Sequence, residues 1–168
     1  MSNIKKNQVM FTNTDKISFS SSFHNILQRT IIKEFLSRYG YNSEVLFLNN
    51  FENAPFYFNE NSLKKLSLND KPKVDIIAYS KEKNWLYLIE NAYSDRIIDE
   101  TRLSVLKKYS RNFKGHVIYI TVFPNKEALR KSSTDIAWET EVWIADNPDH
   151  LIHFNGDKFL GPYKKSCK

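Results

Sequence analysis

Two acidic residues, Asp75 and Glu90, mark the ends of a segment that reads as a β-hairpin. Asp75 opens the apolar run KVDIIAY and Glu90 closes the run NWLYLIE, with a charged turn between the runs. A two-residue turn closed by Ser80 and Lys83, or a four-residue turn closed by Tyr79 and Asn84, places Glu90 opposite Lys73 and Asp75 opposite Leu88. The two acids are then diagonal neighbours on one face, about 7 to 8 Å apart at the backbone. A three-residue turn would instead put them on opposite faces.

Two carboxylates on one face suit a hard divalent cation such as Mg²⁺, for which Mn²⁺ can substitute. Such an ion lowers the pKa of a bound water and offsets the charge that grows on a phosphate in the transition state. The chemistry that this pair predicts is phosphodiester hydrolysis. The simpler interpretation is structural, because acids are spread over the whole chain and strands often end in an acid where solvent begins.

The elements that must position this pair follow from the hydrophobic pattern. Apolar residues at helical spacing between Ser21 and Gly40 predict an amphipathic first helix that ends at the glycine. Three β-rich runs, a helical stretch and a further strand follow: EVLFL, KVDIIAY, NWLYLIE, DETRLSVLKKYSRNF and HVIYITVF. This α-β-β-β-α-β order predicts an α/β fold with one mixed sheet, extended by a short helix in NKEALRKS and the strand-like runs TEVWIA and HLIHF. Trp138 and Trp143 are predicted to belong to the core.

The composition of the 168 residues limits the number of domains and the classes of chemistry. It predicts one domain over residues 21–163, between a flexible N-terminal segment, 1–20, and a basic tail, 164–168. The 4 glycines leave no phosphate-binding loop, and the single cysteine, Cys167, excludes a disulfide framework. No apolar run is long enough for a membrane span, so we expect a soluble cytoplasmic protein. The net charge of +6 is compatible with a polyanionic partner.

Longer stretches of the sequence resemble a known family. The order of elements, with one acid on the second strand and another closing the third, looks like the PD-(D/E)XK nuclease fold. Three stretches resemble the catalytic region of the BsuBI/PstI-type restriction endonucleases: HNILQRTIIKEF, KNWLYLIENAYS and SSTDIAWETEVWIADNPDHLIHFNGDKFLGPY. The resemblance implies a Mg²⁺-dependent type II endonuclease that cuts a short palindromic site in double-stranded DNA as a homodimer. Asp75 would match the family's first acid and Glu90 its second.

The sequence departs from the general pattern at positions that matter for catalysis. Val74 stands in place of the signature proline, and Ala92 stands where the pattern expects a lysine. Because the expected register puts Lys73 across from Glu90, Lys73 is the first candidate for the missing cation, with an ordinary cross-strand ion pair as the alternative. Arg102 is the next candidate, to orient a scissile phosphate, with a solvated helix face as its alternative.

Further polar residues are candidates for the metal and for DNA. Glu34 on the first helix would help to hold the metal through a water, as a glutamate at this place in the wider fold often does; its alternative is a solvent-facing charge. His150 and His153 are three residues apart in a strand-like run, which sends their side chains to opposite faces, so they are predicted to be structural or DNA-contacting. Basic residues in KKYSR and KEALRK would neutralise phosphates, with solvated faces as the alternative: Lys107, Lys108, Arg130 and Lys131.

Two classes of function stay open. The first is the endonuclease, accompanied by a cognate DNA methyltransferase that protects the host chromosome. The second is a non-catalytic DNA-binding or assembly subunit, which Ala92 favours and which the lack of the family's usual N-terminal helical region also favours. Binding of Mg²⁺ or Mn²⁺ by Asp75 and Glu90 distinguishes the two.

Overall fold

A computed structural model of the chain describes residues 23–50, 54–92 and 96–156. The predicted N-terminal segment, 1–20, and basic tail, 164–168, lie outside these ranges. The helical elements are α1 (Phe23–Thr30), a π-helical segment (Ile31–Phe35), α2 (Leu36–Tyr39), α3 (Glu60–Lys65), α4 (Glu100–Ser110) and α5 (Lys126–Ser132). The strands are β1 (Glu44–Leu48), β2 (Tyr57–Phe58), β3 (Ile76–Ser80), β4 (Trp85–Asn91), β5 (His116–Phe123), β6 (Glu141–Ile144) and β7 (Leu151–His153). Within the described ranges, no helix combines the length and the apolar character that crossing a membrane requires.

A seven-stranded sheet, in the order β2-β1-β3-β4-β5-β6-β7, forms the centre of the described part of the chain. β1 to β4 pair in antiparallel fashion, whereas β4, β5 and β6 are parallel and β7 is antiparallel to β6. Each parallel connection contains a helix, α4 after β4 and α5 after β5. The predicted α/β fold with one mixed sheet is therefore confirmed, and β4 is the strand where its antiparallel and parallel parts meet.

Two short elements, β2 and α3, are absent from the predicted order and lie between β1 and β3. β2 has only two residues, too few for an alternating pattern to be recognised. α3 follows directly, and Asn59 caps it by accepting a hydrogen bond from the backbone N–H of Ser62 at 3.1 Å. The α-β-β-β-α-β order is retained around this insertion.

The first helical stretch ends at Gly40, as the sequence predicts. α1, the π-helical segment and α2 follow one another without a break, and the backbone N–H of Gly40 donates to the carbonyl of Leu36 at 2.9 Å. A Cβ at position 40 would lie 2.4 Å from that carbonyl oxygen and 2.6 Å from Oγ of Ser43. Glycine is therefore required here by the close approach of the chain as it turns towards β1.

Hydrophobic layers cover both faces of the sheet. On one face, the layer formed with the first helical stretch includes Leu27, Ile31, Ile32, Phe35, Val45, Leu48, Ile76, Ala78, Tyr87, Ile89 and Trp143. On the other face, the layer formed with α3 and α4 includes Leu46, Leu63, Ile77, Leu86, Leu88, Leu103 and Leu106. Alternate residues of β3 and β4 belong to different layers, so both strands are buried on both faces.

The two tryptophans predicted to be core residues have different surroundings. Trp143 is fully buried on β6, and its ring lies 5.5 Å from that of Phe35. The prediction for Trp138 is wrong, because β6 begins only at Glu141 and Trp138 lies in the preceding turn, with 63% of its surface exposed.

The turn between β3 and β4 lies one residue later in the chain than the expected four-residue turn, residues 80–83. Ser80 pairs with Trp85, and residues 81–84 form the turn. Asn84 has a φ of 54°, in the left-handed region that asparagine tolerates in turns. Asn84 therefore belongs to the turn and not to the strand.

This closure shifts the pairing of β3 with β4 by two residues, since Ile76 pairs with Ile89. The expected pairs, Glu90 with Lys73 and Asp75 with Leu88, are therefore wrong. A shift of two residues leaves each side chain on its original face. The prediction that the two acids share a face is unaffected.

Candidate active site

Asp75 and Glu90 face each other at the end of the sheet where β3 begins and β4 finishes. Asp75 directly precedes β3, and Glu90 is the last residue but one of β4. One step beyond the pair of Ile76 with Ile89, the register brings the two acids directly opposite each other, on the face that α4 covers. Directly opposed residues have Cβ atoms about 4.5 to 5.5 Å apart, closer than the expected diagonal pair. Both residues are fully buried.

Asp75 is oriented by the backbone of the opposing strand. Its Oδ2 accepts a hydrogen bond from the N–H of Asn91 at 2.8 Å. Its Oδ1 lies 3.8 Å from Nη1 of Arg96 and, although buried, accepts no hydrogen bond from the described residues. One carboxylate oxygen is therefore fixed by the sheet, while the other keeps its capacity to bind a cation.

Glu90 is held by Arg102 of α4. Nε of Arg102 donates to Oε1 of Glu90 at 2.7 Å, and Nη2 donates to the same oxygen and to the backbone carbonyl of Lys73. Oε2 of Glu90 is buried and has no hydrogen-bond partner in the part of the chain that the structure describes. Arg102 thus links α4 to both strands of the hairpin and leaves one oxygen of Glu90 available.

Burial raises the pKa of both carboxyl groups. Burial is the main cause for Asp75, and the N–H of Asn91 and the charge of Arg96 oppose it. For Glu90, burial and then the neighbouring charge of Asp75 raise the pKa to about 8, against the opposing effect of Arg102. The metal-free pair of acids therefore retains a proton more readily than exposed carboxyl groups do, and a bound cation would displace that proton.

The donor set fits a hard divalent cation such as Mg²⁺. Two buried carboxylate oxygens, one on each acid, have no hydrogen-bond donor opposite them, a costly arrangement unless a proton or a cation compensates. Among the described residues, no third histidine, cysteine, aspartate or glutamate joins them in a possible metal cluster. Mg²⁺ commonly binds one or two carboxylates and completes its shell with waters and phosphate oxygens, so Asp75 and Glu90 are sufficient protein ligands.

A cavity of about 700 Å³ is lined by Arg96 and Arg102, the arginines that contact the acids, and not by the acids themselves. We call it the cation pocket after its three basic lining side chains; the name refers to the lining and not to a bound ion. Its polar lining includes Lys73, Arg96, Arg102, Asn49, Asp99 and Thr101. The two arginines that contact the acids thus also line a space large enough for a ligand.

The two other predicted site residues, Lys73 and Glu34, lie at different places in the structure. Lys73 is exposed, lines the cation pocket and lies three residues before Ile76, the first residue of β3. It does not face Glu90, because the register puts Asp75 opposite Glu90. Glu34 forms a 2.5 Å ion pair with Arg38, which also contacts Asp149 at 3.0 Å. The structure thus brings Lys73 to the cation pocket and pairs Glu34 with Arg38.

Two residues near the acids were missed by sequence reasoning. Arg96 lies in the connection from β4 to α4. Because this connection starts beside Glu90, a basic residue within it could have been predicted to lie near the acids. Gln28 is fully buried on α1 and donates to the carbonyl of Asn49 at 3.0 Å, while the N–H of Asn49 donates to the carbonyl of Asp75 at 2.8 Å. A glutamine within the apolar stripe of the first helix was the signal for this contact.

The basic residues predicted to contact DNA are exposed at the C-terminal ends of α4 and α5: Lys107, Lys108, Arg130 and Lys131. Lys107 lies 3.8 Å from Glu139, and Lys131 lies 3.3 Å from Glu127. Their contact with DNA stays a prediction.

The two histidines have partners near β7. Nδ1 of His150 lies 2.7 Å from Oδ1 of Asn147, and His153 pairs with Glu141 across β6 and β7. These contacts are compatible with the structural role predicted for both residues.

An acid at the start of β3, a second acid at the end of β4 and a helical crossover to a parallel strand are typical of the PD-(D/E)XK nuclease fold. The solved structure of the SdaI restriction endonuclease is similar to this chain, with a TM-score of 0.76 and 32% identity. The similarity covers 87% of this chain and 47% of that chain. The predicted fold class is therefore confirmed.

The family model of the BsuBI/PstI restriction endonuclease domain matches residues 7–157, and the chain belongs to this family. The type II restriction enzyme BsuBI of Bacillus subtilis is 38% identical over 144 residues, which are 84% of this chain and 46% of that protein. The type II restriction enzyme AplI of Arthrospira platensis is 25% identical over 153 residues, 86% of this chain and 47% of that protein. The chain thus spans about half the length of the curated relatives it matches.

Proposed function

We propose that the chain is the catalytic part of a metal-dependent type II DNA endonuclease, with Asp75 and Glu90 as its metal-binding acids. The observation that carries this proposal is the buried oxygen on each acid that accepts no hydrogen bond from the described residues. Family membership supports the class of reaction, because the relatives are named type II restriction enzymes.

The residues of the site have separate tasks in this reaction. The N–H of Asn91 holds Oδ2 of Asp75, which leaves Oδ1 for the ion, and Arg102 holds Oε1 of Glu90, which leaves Oε2. Because these contacts exist before the substrate arrives, little reorganisation is needed during the reaction. A divalent cation held there supplies a more acidic water and neutralises charge on the phosphate.

The proposal extends to substrate and partners. Double-stranded DNA with a short palindromic site is the proposed substrate, Mg²⁺ the cofactor with Mn²⁺ as a substitute, and the cytoplasm the location. A homodimer is the proposed active form, since a two-fold axis in the protein matches the symmetry of a palindrome. A cognate DNA methyltransferase would protect the host chromosome.

Lys73 and Glu34 remain proposed contributors to the same reaction. Lys73 would add positive charge at the cation pocket, and Glu34 would act on the metal through a water. Cleavage left intact by Lys73→Met, or by Glu34→Gln, would remove the corresponding residue from the proposal.

A second candidate function is a non-catalytic DNA-binding or assembly subunit. The observation that favours it is Ala92, which stands where the general pattern has a lysine. Such a subunit would bind DNA with or without a divalent cation and would leave it uncut.

Cleavage of unmethylated plasmid DNA by the purified chain, with and without Mg²⁺, tests the proposal. The matched variants are Asp75→Asn, which keeps the shape of the side chain, and Asp135→Asn, at an exposed aspartate outside the site. We expect discrete metal-dependent fragments from the wild type and from Asp135→Asn, and uncut DNA from Asp75→Asn. Uncut DNA that is retarded in a gel by all three proteins would favour the binding subunit.

A further inference from the structure

We propose that the cation pocket binds a phosphate of the DNA backbone, and that Arg96 and Arg102 there supply the positive charge that Ala92 cannot. This inference deepens the proposed function and rests on it. It assigns contact with the substrate to two arginines, of which Arg102 was a candidate from the sequence and Arg96 was not.

The charge of the pocket favours an anion. Three cationic side chains, those of Lys73, Arg96 and Arg102, line it beside one acid, Asp99. Oδ1 of Asp99 already accepts a hydrogen bond of 2.6 Å from the backbone N–H of Arg102, as the cap of α4. Guanidinium groups match the geometry of phosphate oxygens and donate several hydrogen bonds to them.

Arg96 and Arg102 lie between the cation pocket and the acids. Asp75 and Glu90 are fully buried, whereas the side chains of Arg96 and Arg102 are 47% and 24% exposed. Each arginine contacts one acid and also lines the pocket. A phosphate that enters the pocket therefore meets the arginines next to the proposed metal ligands.

The two arginines contact the acids in different ways. Arg102 is anchored at Glu90 and at the carbonyl of Lys73, so it presents a fixed charge. Arg96 lies 3.8 Å from Oδ1 of Asp75, which is beyond hydrogen-bonding distance, so it acts on that acid through its charge. Neither guanidinium can lose its proton, so both act through charge and orientation and not as bases.

Arg96 also competes with a metal for Asp75. Its charge lies beside Oδ1, the oxygen left for a cation, and repels a second cation there. Removal of this charge should therefore strengthen metal binding to the DNA-free chain and weaken DNA binding. A residue with a purely structural role would not change the two affinities in opposite directions.

The first test measures the salt dependence of binding to a short DNA duplex in Ca²⁺. For Arg96→Gln we expect weaker binding and a slope of log K against log salt that is smaller by about 0.9, the value of one lost phosphate contact. Arg102→Gln should reduce the slope similarly, and Arg96→Lys and Arg102→Lys should retain most of it. Arg29→Gln, an exposed arginine on α1, is the matched control and should keep the wild-type slope.

Thermal unfolding of each variant separates misfolding from loss of contact. If Arg102→Gln does not fold, Arg96→Gln, at a more exposed position, decides the test. An unchanged slope in folded Arg96→Gln, or a wild-type chain that does not bind the duplex at low salt, would overturn the proposal.

The second test measures Mn²⁺ affinity without DNA. Arg96→Gln should bind Mn²⁺ about fivefold more tightly or better, since one unit charge at 4 Å in water is worth about 1 kcal/mol. An affinity equal to that of the wild type would contradict the competition at Asp75. Plasmid cleavage by the wild type distinguishes the two proposals. If the wild type leaves the plasmid uncut while Arg96→Gln shows a reduced slope, the endonuclease is removed and the phosphate site is kept. If the wild type cuts the plasmid while Arg96→Gln shows an unchanged slope, the phosphate site is removed and the endonuclease is kept.

Discussion

Glu90 is the residue whose ionisation changes most clearly on folding. Its pKa rises from an ordinary value of 4.5 to about 8, because it is buried beside the carboxyl of Asp75. Between these two values the folded state holds a proton that the unfolded state has lost. The contribution of Glu90 to the free energy of unfolding therefore falls as the pH rises from about 4.5 to about 8.

Replacement of Glu90 by glutamine should remove this pH dependence. In metal-free buffer, wild-type stability should decline through the window by up to about 1.4 kcal/mol per pH unit from this group, whereas Glu90→Gln should show a flatter profile. Urea unfolding midpoints between pH 5 and pH 8, values that frame the window set by the pKa of Glu90, provide the measurement. Asp135→Asn should follow the wild type, and parallel profiles for wild type and Glu90→Gln would contradict the assignment.

Tyr87 offers a second test at the residue scale. Its hydroxyl, on a nearly fully buried side chain, donates to the carbonyl of Tyr39 at 2.9 Å and ties the end of α2 to β4. Tyr87→Phe leaves that carbonyl without its donor, so we expect the free energy of unfolding to fall by about 1 to 3 kcal/mol. Tyr79→Phe is the control, because its hydroxyl bonds to Asn84 in an exposed turn. Equal losses in the two variants would contradict the prediction.

At the scale of elements, Gly40 sets the junction between α2 and β1. A Cβ there would lie 2.4 Å from the carbonyl oxygen of Leu36, so Gly40→Ala must displace backbone. We expect it to reduce the free energy of unfolding by about 1 to 3 kcal/mol, the usual cost of overpacking. Gly156→Ala is the control, since its Cβ would lie 3.5 Å from Trp138, an ordinary contact. Chemical denaturation compares the two, and an unchanged midpoint for Gly40→Ala would refute the steric argument.

The longer elements could be predicted because each carries a strong local pattern. The apolar spacing before Gly40 and the β-rich runs of the sheet are signals of this kind. β2 was not predictable because its two residues are held by pairing with β1 and not by any pattern of their own. The register of β3 with β4 depended on the conformation of Asn84, which its residue type permits but does not require.

The candidate site was predictable only in part, for a related reason. Asp75 and Glu90 lie in one hairpin, so alternation puts them on the same face for a turn of two or four residues, and the observed turn has four. Their partners, Arg96 and Arg102, come from the connection and helix that follow, and their approach depends on tertiary packing. The sequence instead favoured Lys73 as the missing cation, because the assumed register put it opposite Glu90.

At the scale of the whole molecule, metal binding should be linked to stability. A ligand that binds only the folded state at about 100 times its Kd stabilises by about 2.7 kcal/mol. Added Mn²⁺ or Mg²⁺ should therefore raise the Tm of the wild type and of Asp135→Asn, and leave that of Asp75→Asn nearly unchanged. Differential scanning calorimetry with and without metal measures this effect. The same Tm increase in Asp75→Asn would place the metal elsewhere.

The location of both acids in one hairpin has a consequence for the order of folding. A hairpin forms in about 1 to 10 μs, whereas parallel pairing of β4 with β5 must await closure of the long connection that contains α4. The carboxyl groups are thus brought together by contacts between residues close in sequence. The charge of Arg102 joins them later, when α4 packs against the sheet. Early in folding, the repulsion between the acids is uncompensated, so protonation of the pair favours the first step of assembly.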